Sequence, residues 1–533
     1  MSENMCGVLI SGAGPNGLML VCELALGGVT AFVLEKLPAP STEPKANGLV
    51  GQVVRLLDMR GLYRPAAGDD APAIPPPLPG YSFSGLPLDL AELANNPLYG
   101  LPIPQPRLVA LLAARARELG VTVRWGHDLR DLEAHGDHVV ATVDGPDGDY
   151  RIQTRYLVAA DGGKSAVRKL VGIDFPGYTV ADRITRFGHA TVPDRLRTPE
   201  GGLEIPGAGR FHFGHNRVDN GMFIFAELTP GRPIIGVSEY GTDRVPAEDQ
   251  PMTFAELRES VERVLGAEVP IEPPTGTGPH ALRRTVGQNT RLAERYRDGP
   301  VLLLGDSAHI HSAMGGPGLN LGLQDAVNLG WKLAAEVNGW APAELLDTYE
   351  SERYPVAERV MMHSLAQSAL MAPGPEVTGL RDLVAELVRI PVVAAHLAQL
   401  LAGSDIRYDV GDDHRLSGRL VPDYTVTTDR TRVRIADLLH TARPLLIDGT
   451  GAAAAAAARW RSRVEIVSST VTLTDPRPLV GTATGPDTAN TPAAILLRPD
   501  GYVAWATDDA NADGLHGALT RWFGSAPAPV HAR

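Results

Sequence analysis

Residues 7–17, Gly7-Val8-Leu9-Ile10-Ser11-Gly12-Ala13-Gly14-Pro15-Asn16-Gly17, lead from an apolar strand through a glycine turn towards a helix. The helix-like stretch continues as Leu18-Met19-Leu20-Val21-Cys22-Glu23-Leu24-Ala25-Leu26. A second apolar run, Ala31-Phe32-Val33-Leu34, ends in Glu35. Strand, GxGxxG turn, helix, strand and terminal acid make up the unit that holds the ADP half of a dinucleotide. Gly12 permits the tight turn, Gly14 lets the backbone approach a pyrophosphate, and Gly17 lets helix and strand pack closely. Ala13, Pro15 and Asn16 fill the turn where the helix N-terminus offers free N–H groups and the positive end of its dipole. Glu35 is placed to accept hydrogen bonds from a ribose diol.

The bulk composition limits what surrounds this unit. The chain has 533 residues, 44% of them hydrophobic and 21% charged. That is too long for one core, and about three domains are expected. No apolar run reaches the ~20 residues that a bilayer requires. The N-terminus enters a strand almost at once, leaving no room for a secretory signal, so a cytoplasmic location is expected. Cys6 and Cys22 are the only cysteines, which excludes a disulfide framework and a cysteine zinc site. A formal net charge of −13 argues against nucleic acid or an anionic membrane surface as partner. Lysine occurs only at 36, 45, 164, 169 and 332, a bias of composition rather than of function.

Hydrophobic periodicity divides the chain further. Residues 1–175 alternate strands and helices, with strands at Val121–Trp125 and His138–Val143 and an amphipathic helix at Leu108–Leu119. Residues 176–285 change character. Runs such as Arg210-Phe211-His212-Phe213 and Met222-Phe223-Ile224-Phe225-Ala226 predict a mostly antiparallel sheet inserted into the first domain. Residues 286–400 return to that domain through the buried strand Val301-Leu302-Leu303-Leu304, a glycine loop and trailing helices. Residues 405–533 read as a separate small α/β unit, with strands at Pro444–Ile447 and Ala494–Leu497.

Two further motifs decide the cofactor. In the first, a strand runs into Asp161-Gly162 and a helix follows. Its Gly163-Lys164-Ser165 resembles the tail of a P-loop, but Val158 stands where that pattern needs glycine. The second is Leu304-Gly305-Asp306-Ser307-Ala308-His309, followed by Gly315-Gly316-Pro317-Gly318-Leu319-Asn320. Asp306, at the carboxyl end of a buried strand, can hold a second polyol, and the glycine turn offers N–H groups to an electron-rich ligand atom. Two sugar-binding acids around one phosphate loop suit FAD. The pair His309 and His311 has no third ligand at a supporting spacing, so no metal site is expected.

These motifs, with Asp325-Ala326-Val327-Asn328-Leu329-Gly330-Trp331-Lys332-Leu333-Ala334 and the C-terminal Leu497-Arg498-Pro499-Asp500-Gly501, closely resemble the group A flavoprotein aromatic hydroxylases. The resemblance is to the branch of rifampicin monooxygenase and the polyketide hydroxylases, and it covers nearly the whole chain. It implies a Rossmann-like FAD-binding α/β domain, an inserted antiparallel-sheet substrate domain and a thioredoxin-like α/β C-terminal domain without CxxC. It also implies cytoplasmic tailoring of an antibiotic polyketide. NADPH or NADH binds transiently, O2 reacts through a C4a-hydroperoxyflavin, and one oxygen atom enters an aromatic small molecule. By motif match Glu35 and the adjoining Lys36 meet the adenosine ribose. Gln105 reaches the phosphate or ribityl region, Leu129 the adenine side, and Asp161 the cofactor. Asp306 meets the ribityl–pyrophosphate region, and Gly318-Leu319-Asn320 the flavin pyrimidine edge.

The chain departs from that family in two places. Lys45 and Asn47, in Pro44-Lys45-Ala46-Asn47, stand where many relatives carry arginines over the flavin, and lysine cannot reproduce a planar fork. His311-Ser312-Ala313-Met314 replaces the usual prolines after the Gly-Asp motif. No catalytic side chain is identifiable, since much of the chemistry belongs to the cofactor. Arg210, His212, Phe223 and Phe225 alternate on strands and are candidates to face the substrate. Baeyer–Villiger oxygenation, or sequestration of an intermediate without oxygen transfer, remain the alternatives. The C-terminal unit serves either a homodimer contact or as a buttress.

Overall fold

The computed structural model describes residues 6–43, 45–93, 95–227, 229–241, 250–278, 280–312, 314, 316–428, 431–468, 472–474 and 491–526. Pro44, Ala313 and Gly315 lie outside them. The first sheet is built on Cys6–Ser11, which pairs in parallel with Ala31–Glu35 on one side and Gly148–Ala159 on the other. Val123–Trp125 continues the sheet beyond Ala31–Glu35. Val301–Leu303 joins Gly148–Ala159 in parallel, with Leu157 opposite Val301. Val8, Leu9, Ile10, Leu157, Val158 and Val301 are wholly buried. Both faces of these parallel strands are buried, so they read as continuous apolar runs instead of alternating.

The helices are α1 (Pro15–Leu26), α2 (Gln52–Asp58), α3 (Tyr63–Ala67), α4 (Gln105–Glu118), α5 (Ala166–Leu170), α6 (Phe254–Leu265), α7 (Pro317–Val337), α8 (Thr348–Leu370), α9 (Pro375–Leu387) and α10 (Pro391–Ala402). Proline opens α1, α7, α9 and α10, where its missing N–H costs nothing and its φ suits the first turn. Helix α1 packs between α4 and α7. Gly330 lies against the Glu23 side chain at that crossing, which only a residue without Cβ permits.

The second sheet is antiparallel, in the order Gly214–Val218, Gly221–Ala226, Ile234–Glu239, Gly177–His189, Arg283–Leu292, His309–Ile310. It extends past the expected limit at 285, because Arg283–Leu292 carries the chain back towards the first sheet and His309–Ile310 adds the last strand. Helix α6 covers one face. Thr253 caps it by accepting a hydrogen bond from the Glu256 N–H at 3.1 Å, and Gly266, at φ +66°, ends it. Phe211, Phe223, Phe225, Ile235 and Val237 form the core under α6 with Leu257, Val261 and Val264.

The C-terminal sheet has the order Glu465–Ser468, Leu445–Asp448, Ala494–Leu497, Val503–Thr507. Its first pair is parallel and the next two are antiparallel, the arrangement of a thioredoxin-like sheet. Buried charges dock this unit onto the first domain. Arg498 donates to both oxygens of Glu352 on α8, at 2.6 and 2.8 Å, and Lys332 of α7 donates to Glu352 at 2.7 Å. Arg60 joins Glu23 at 2.6 Å and donates to the Pro499 carbonyl at 2.7 Å. Buttressing is therefore built into the chain itself. Among the described residues no single helix is long and apolar enough to cross a membrane.

Candidate active site

Three sequence motifs meet at Asn16. A Cβ on Gly305 or Gly322 would collide with the Asn16 amide, so the glycine turn, the Gly305-Asp306 turn and the first turns of α7 are held together by one side chain. The turn uses its glycines as expected. Cβ atoms on Gly12 (φ +110°) and Gly17 would drive into the Ala160 and Gly12 carbonyls, whereas one on Gly14 would meet nothing within 4 Å. That side of the turn is open. Ala13 N–H donates to Glu35 Oε2 at 2.9 Å, and Leu37 N–H to Oε1 at 3.0 Å. Glu35 is thereby fixed beside the turn with lone pairs to spare. Lys36 points to solvent.

Asp306 is reachable by water yet hemmed in by protein. Burial raises its pKa against the opposing charges of His309 and Lys45. Such a carboxylate stands on a wall that water still reaches. Lys45 is thus brought near Asp306, and the Gln105 N–H donates to the Ala46 carbonyl at 2.8 Å, joining the start of α4 to the same wall. Asn320 accepts from the Val50 N–H at 3.2 Å and donates to the Gly316 carbonyl at 2.9 Å, fixing the start of α7. Gly318 and Leu319 lie in that first turn. Asp161 caps α5 through the Ala166 and Val167 N–H groups at 2.8 and 3.2 Å, so one oxygen is committed to the protein. Leu129 is buried in the main core, paired with Val143. The open Gly14, the water-reachable Asp306 and the unpartnered Asn16 Oδ1 fit a long polar ligand such as FAD.

The substrate candidates need correction. Phe223 and Phe225 are fully buried under α6. Arg210 is exposed and paired with Glu204 at 3.0 Å, and His212 is exposed beyond it. The period of two along Gly221–Ala226 puts Met222 and Ile224 on the other face. There they pack with Met314, from the loop before α7, and Met371, after α8. His215 pairs with Ile224 across the sheet, and His311 precedes Met314 by three residues. Both are half-buried, and burial lowers their pKa to about 4.

Sequence reasoning also passed over a charged chain behind the site. His309 bonds Asp325 at 2.7 Å, Asp325 accepts from Arg353 at 2.6 Å, and Arg353 donates to Tyr408 at 2.9 Å. Single charges inside otherwise apolar helices, such as Glu23 in α1 and Asp325 and Lys332 in α7, were the available signal. Among the described residues no cluster of His, Cys, Asp or Glu is arranged to hold a metal.

Residues 5–364 match the family model described as FAD binding domain. Residues 414–526 match the model described as aromatic-ring hydroxylase, C-terminal. The chain belongs to the FAD-dependent aromatic-ring hydroxylases. This hydroxylase is 41% identical to the 12-dehydrotetracycline 5-monooxygenase/anhydrotetracycline 6-monooxygenase of Streptomyces rimosus subsp. rimosus, over 97% of the chain and 98% of the relative. It is 36% identical to the rifampicin monooxygenase of Streptomyces venezuelae, over 98% and 100%. Among solved structures, CabE, an aromatic hydroxylase from angucycline biosynthesis, superposes with a TM-score of 0.85 at 37% identity, covering 98% of this chain and 100% of that one. The hydroxylase is accordingly an FAD-dependent monooxygenase with NAD(P)H as electron donor.

Proposed function

We propose that the enzyme hydroxylates a polycyclic, phenol-bearing polyketide seated between the second sheet and the start of α7. The observation that carries this reading is the patch of Met222, Ile224, Met314 and Met371 between the sheet and the glycine turn before α7. Methionine is unbranched and adaptable, so such a patch can repack around a large flat apolar ligand. Two relatives are named for 12-dehydrotetracycline with anhydrotetracycline and for rifampicin, which supports the class. The net reaction is ArH + O2 + NADPH + H+ → ArOH + NADP+ + H2O.

FAD held here would supply hydride acceptance from the nicotinamide and activation of O2. The chain's residues bind and orient it. Gly12 to Gly17 and the α1 N-terminus receive the pyrophosphate, Glu35 the adenosine ribose, and Asp306 with Gln105 and Lys45 the ribityl–pyrophosphate region. The N-terminus of α7, at Gly318, Leu319 and Asn320, would offer its positive dipole end to a flavin pyrimidine, which gains charge on reduction. The buried methionine cluster keeps water from the reacting face.

Anaerobic stopped-flow with NADPH and hydroxyanthraquinone, naphthoquinone or ansamycin ligands tests the reading. Flavin bleaching accelerated by a ligand, then a product one oxygen heavier with a new ring C–O bond by NMR, supports it. An ester or lactone product supports Baeyer–Villiger oxygenation instead, and bleaching indifferent to every bound ligand supports sequestration.

A further inference from the structure

His311 is singled out by its hydrogen bonding. Its Nδ1 lies 2.9 Å from the Ser312 carbonyl oxygen. A carbonyl only accepts, so Nδ1 carries the ring proton and Nε2 presents a lone pair. Nε2 has no protein partner among the described residues and is not among the enclosed unpartnered atoms, unlike His309 Nδ1. It is therefore not sealed off among the described residues. The ring lies beside the Cβ direction of Gly318, in the first turn of α7, and three residues before Met314 of the apolar patch. The groups facing it are His309, stacked 6.4 Å away, and His363, with Asp306 and Lys45 beyond His309. Burial and these neighbours keep the imidazole neutral, with its pKa down to about 4.

We propose that His311 Nε2 accepts the hydrogen of a phenolic or enolic hydroxyl of the substrate and takes that proton while the ring is oxygenated. This rests on the aromatic-substrate reading above. A free phenol is far too weak an acid to protonate such an imidazole in the resting complex. As the ring carbon gains oxygen, an electron pair moves from the phenol oxygen into the ring and the O–H becomes strongly acidic. A base of pKa about 4 is then strong enough to receive the proton, and too weak to have taken it earlier. The products of this step are a cyclohexadienone and imidazolium. Loss of the ring C–H proton to solvent, with return of the imidazolium proton to the carbonyl oxygen, restores aromaticity and neutral His311.

The test uses oxidised holoenzyme, without NADPH, titrated with 2-hydroxyanthraquinone, 2-methoxyanthraquinone and anthraquinone while the flavin spectrum is followed. Wild type is expected to bind the phenol about tenfold more tightly than the ether, the size of one hydrogen bond in a dry site. H311F is expected to lose that preference while binding anthraquinone as wild type does. H311Q, whose amide oxygen accepts near the Nε2 position but is no base, is expected to restore the preference and not the single-turnover hydroxylation rate. H311F that keeps the full phenol preference overturns the proposal alone. Wild type that binds none of the three, with normal NADPH reduction of its flavin, overturns the aromatic-substrate reading and the proposal with it.

Discussion

Replacing Glu352 with glutamine tests how the C-terminal unit is held. Glu352 accepts from Arg498 Nη1 and Nη2 at 2.6 and 2.8 Å, and from Lys332 and Asn328, both at 2.7 Å. E352Q leaves buried Lys332 without its carboxylate and Arg498 with Asp500 alone, and removing one partner of a buried pair costs about 3–5 kcal/mol. The titration of the same group gives a second figure. Burial opposes the carboxylate, but Arg498 and Lys332 hold its pKa at about 2 instead of 4.5. At about 1.4 kcal/mol per pH unit the gap corresponds to about 3 kcal/mol. A depressed acid contributes this stability fully above pH 4.5 and loses it as pH falls from 4.5 through about 2. Thermal unfolding at pH 7, followed by far-UV circular dichroism and by flavin release, is expected to show the C-terminal unit melting roughly 10 °C lower in E352Q. The deficit is expected to shrink below pH 4.5. Lys332→Met is expected to cost less, because burial already lowers that ammonium's pKa to about 8 and Arg498 still matches Glu352. An E352Q enzyme that melts within ~2 °C of wild type at pH 7, or a K332M enzyme less stable than it, refutes this account.

Further outcomes separate packing from binding. Gly17→Ala is expected to yield little folded protein, since its Cβ meets the Gly12 carbonyl. Gly14→Ala is expected to fold with a normal far-UV spectrum but to purify with less FAD, read from the ratio of 450 to 280 nm absorbance. Met222→Trp is expected to weaken binding of 2-hydroxyanthraquinone while leaving NADPH-driven flavin reduction in place; Phe223→Ala is expected to lower thermal stability by about 3–5 kcal/mol through a cavity under α6. His363 is buried and neutral, accepting from Gln367 at 3.3 Å, with its pKa lowered by burial from 6.5 to about 4. Unfolding then takes up a proton between those values, so stability falls as pH drops from 6.5 to about 4. Urea titrations across that window should show a shallower fall for His363→Gln.

Local patterns carried much of this architecture. Residues 7–35 spell a strand, turn, helix and strand, because the turn's steric needs and the strands' double-sided burial act over a few residues. The same holds for Gly305-Asp306 and for the inserted sheet, where alternation of side chains is a property of neighbouring residues. That a strand runs through Met222–Phe225 was legible; which of its faces meets the cleft was not. One face of that strand lies under α6, thirty residues later in the chain, and the other against Met314 and Met371. Alternation fixes two faces without saying what covers either. The charges inside α1, α7 and α8 are similar, since Glu23, Asp325, Lys332 and Glu352 are costly in isolation and find their partners at Arg60, His309 and Arg498, remote in sequence. The lone pair of His311 likewise depends on the direction of one carbonyl, a backbone torsion that residue identity leaves free. The amino-acid sequence alone determined the cofactor and the fold class, because both rest on short-range sterics and spacing. Tertiary structure alone decided what covers each face of the inserted sheet, the docking of the C-terminal unit and the hydrogen bonding of His311, because each depends on which distant surfaces exclude water together.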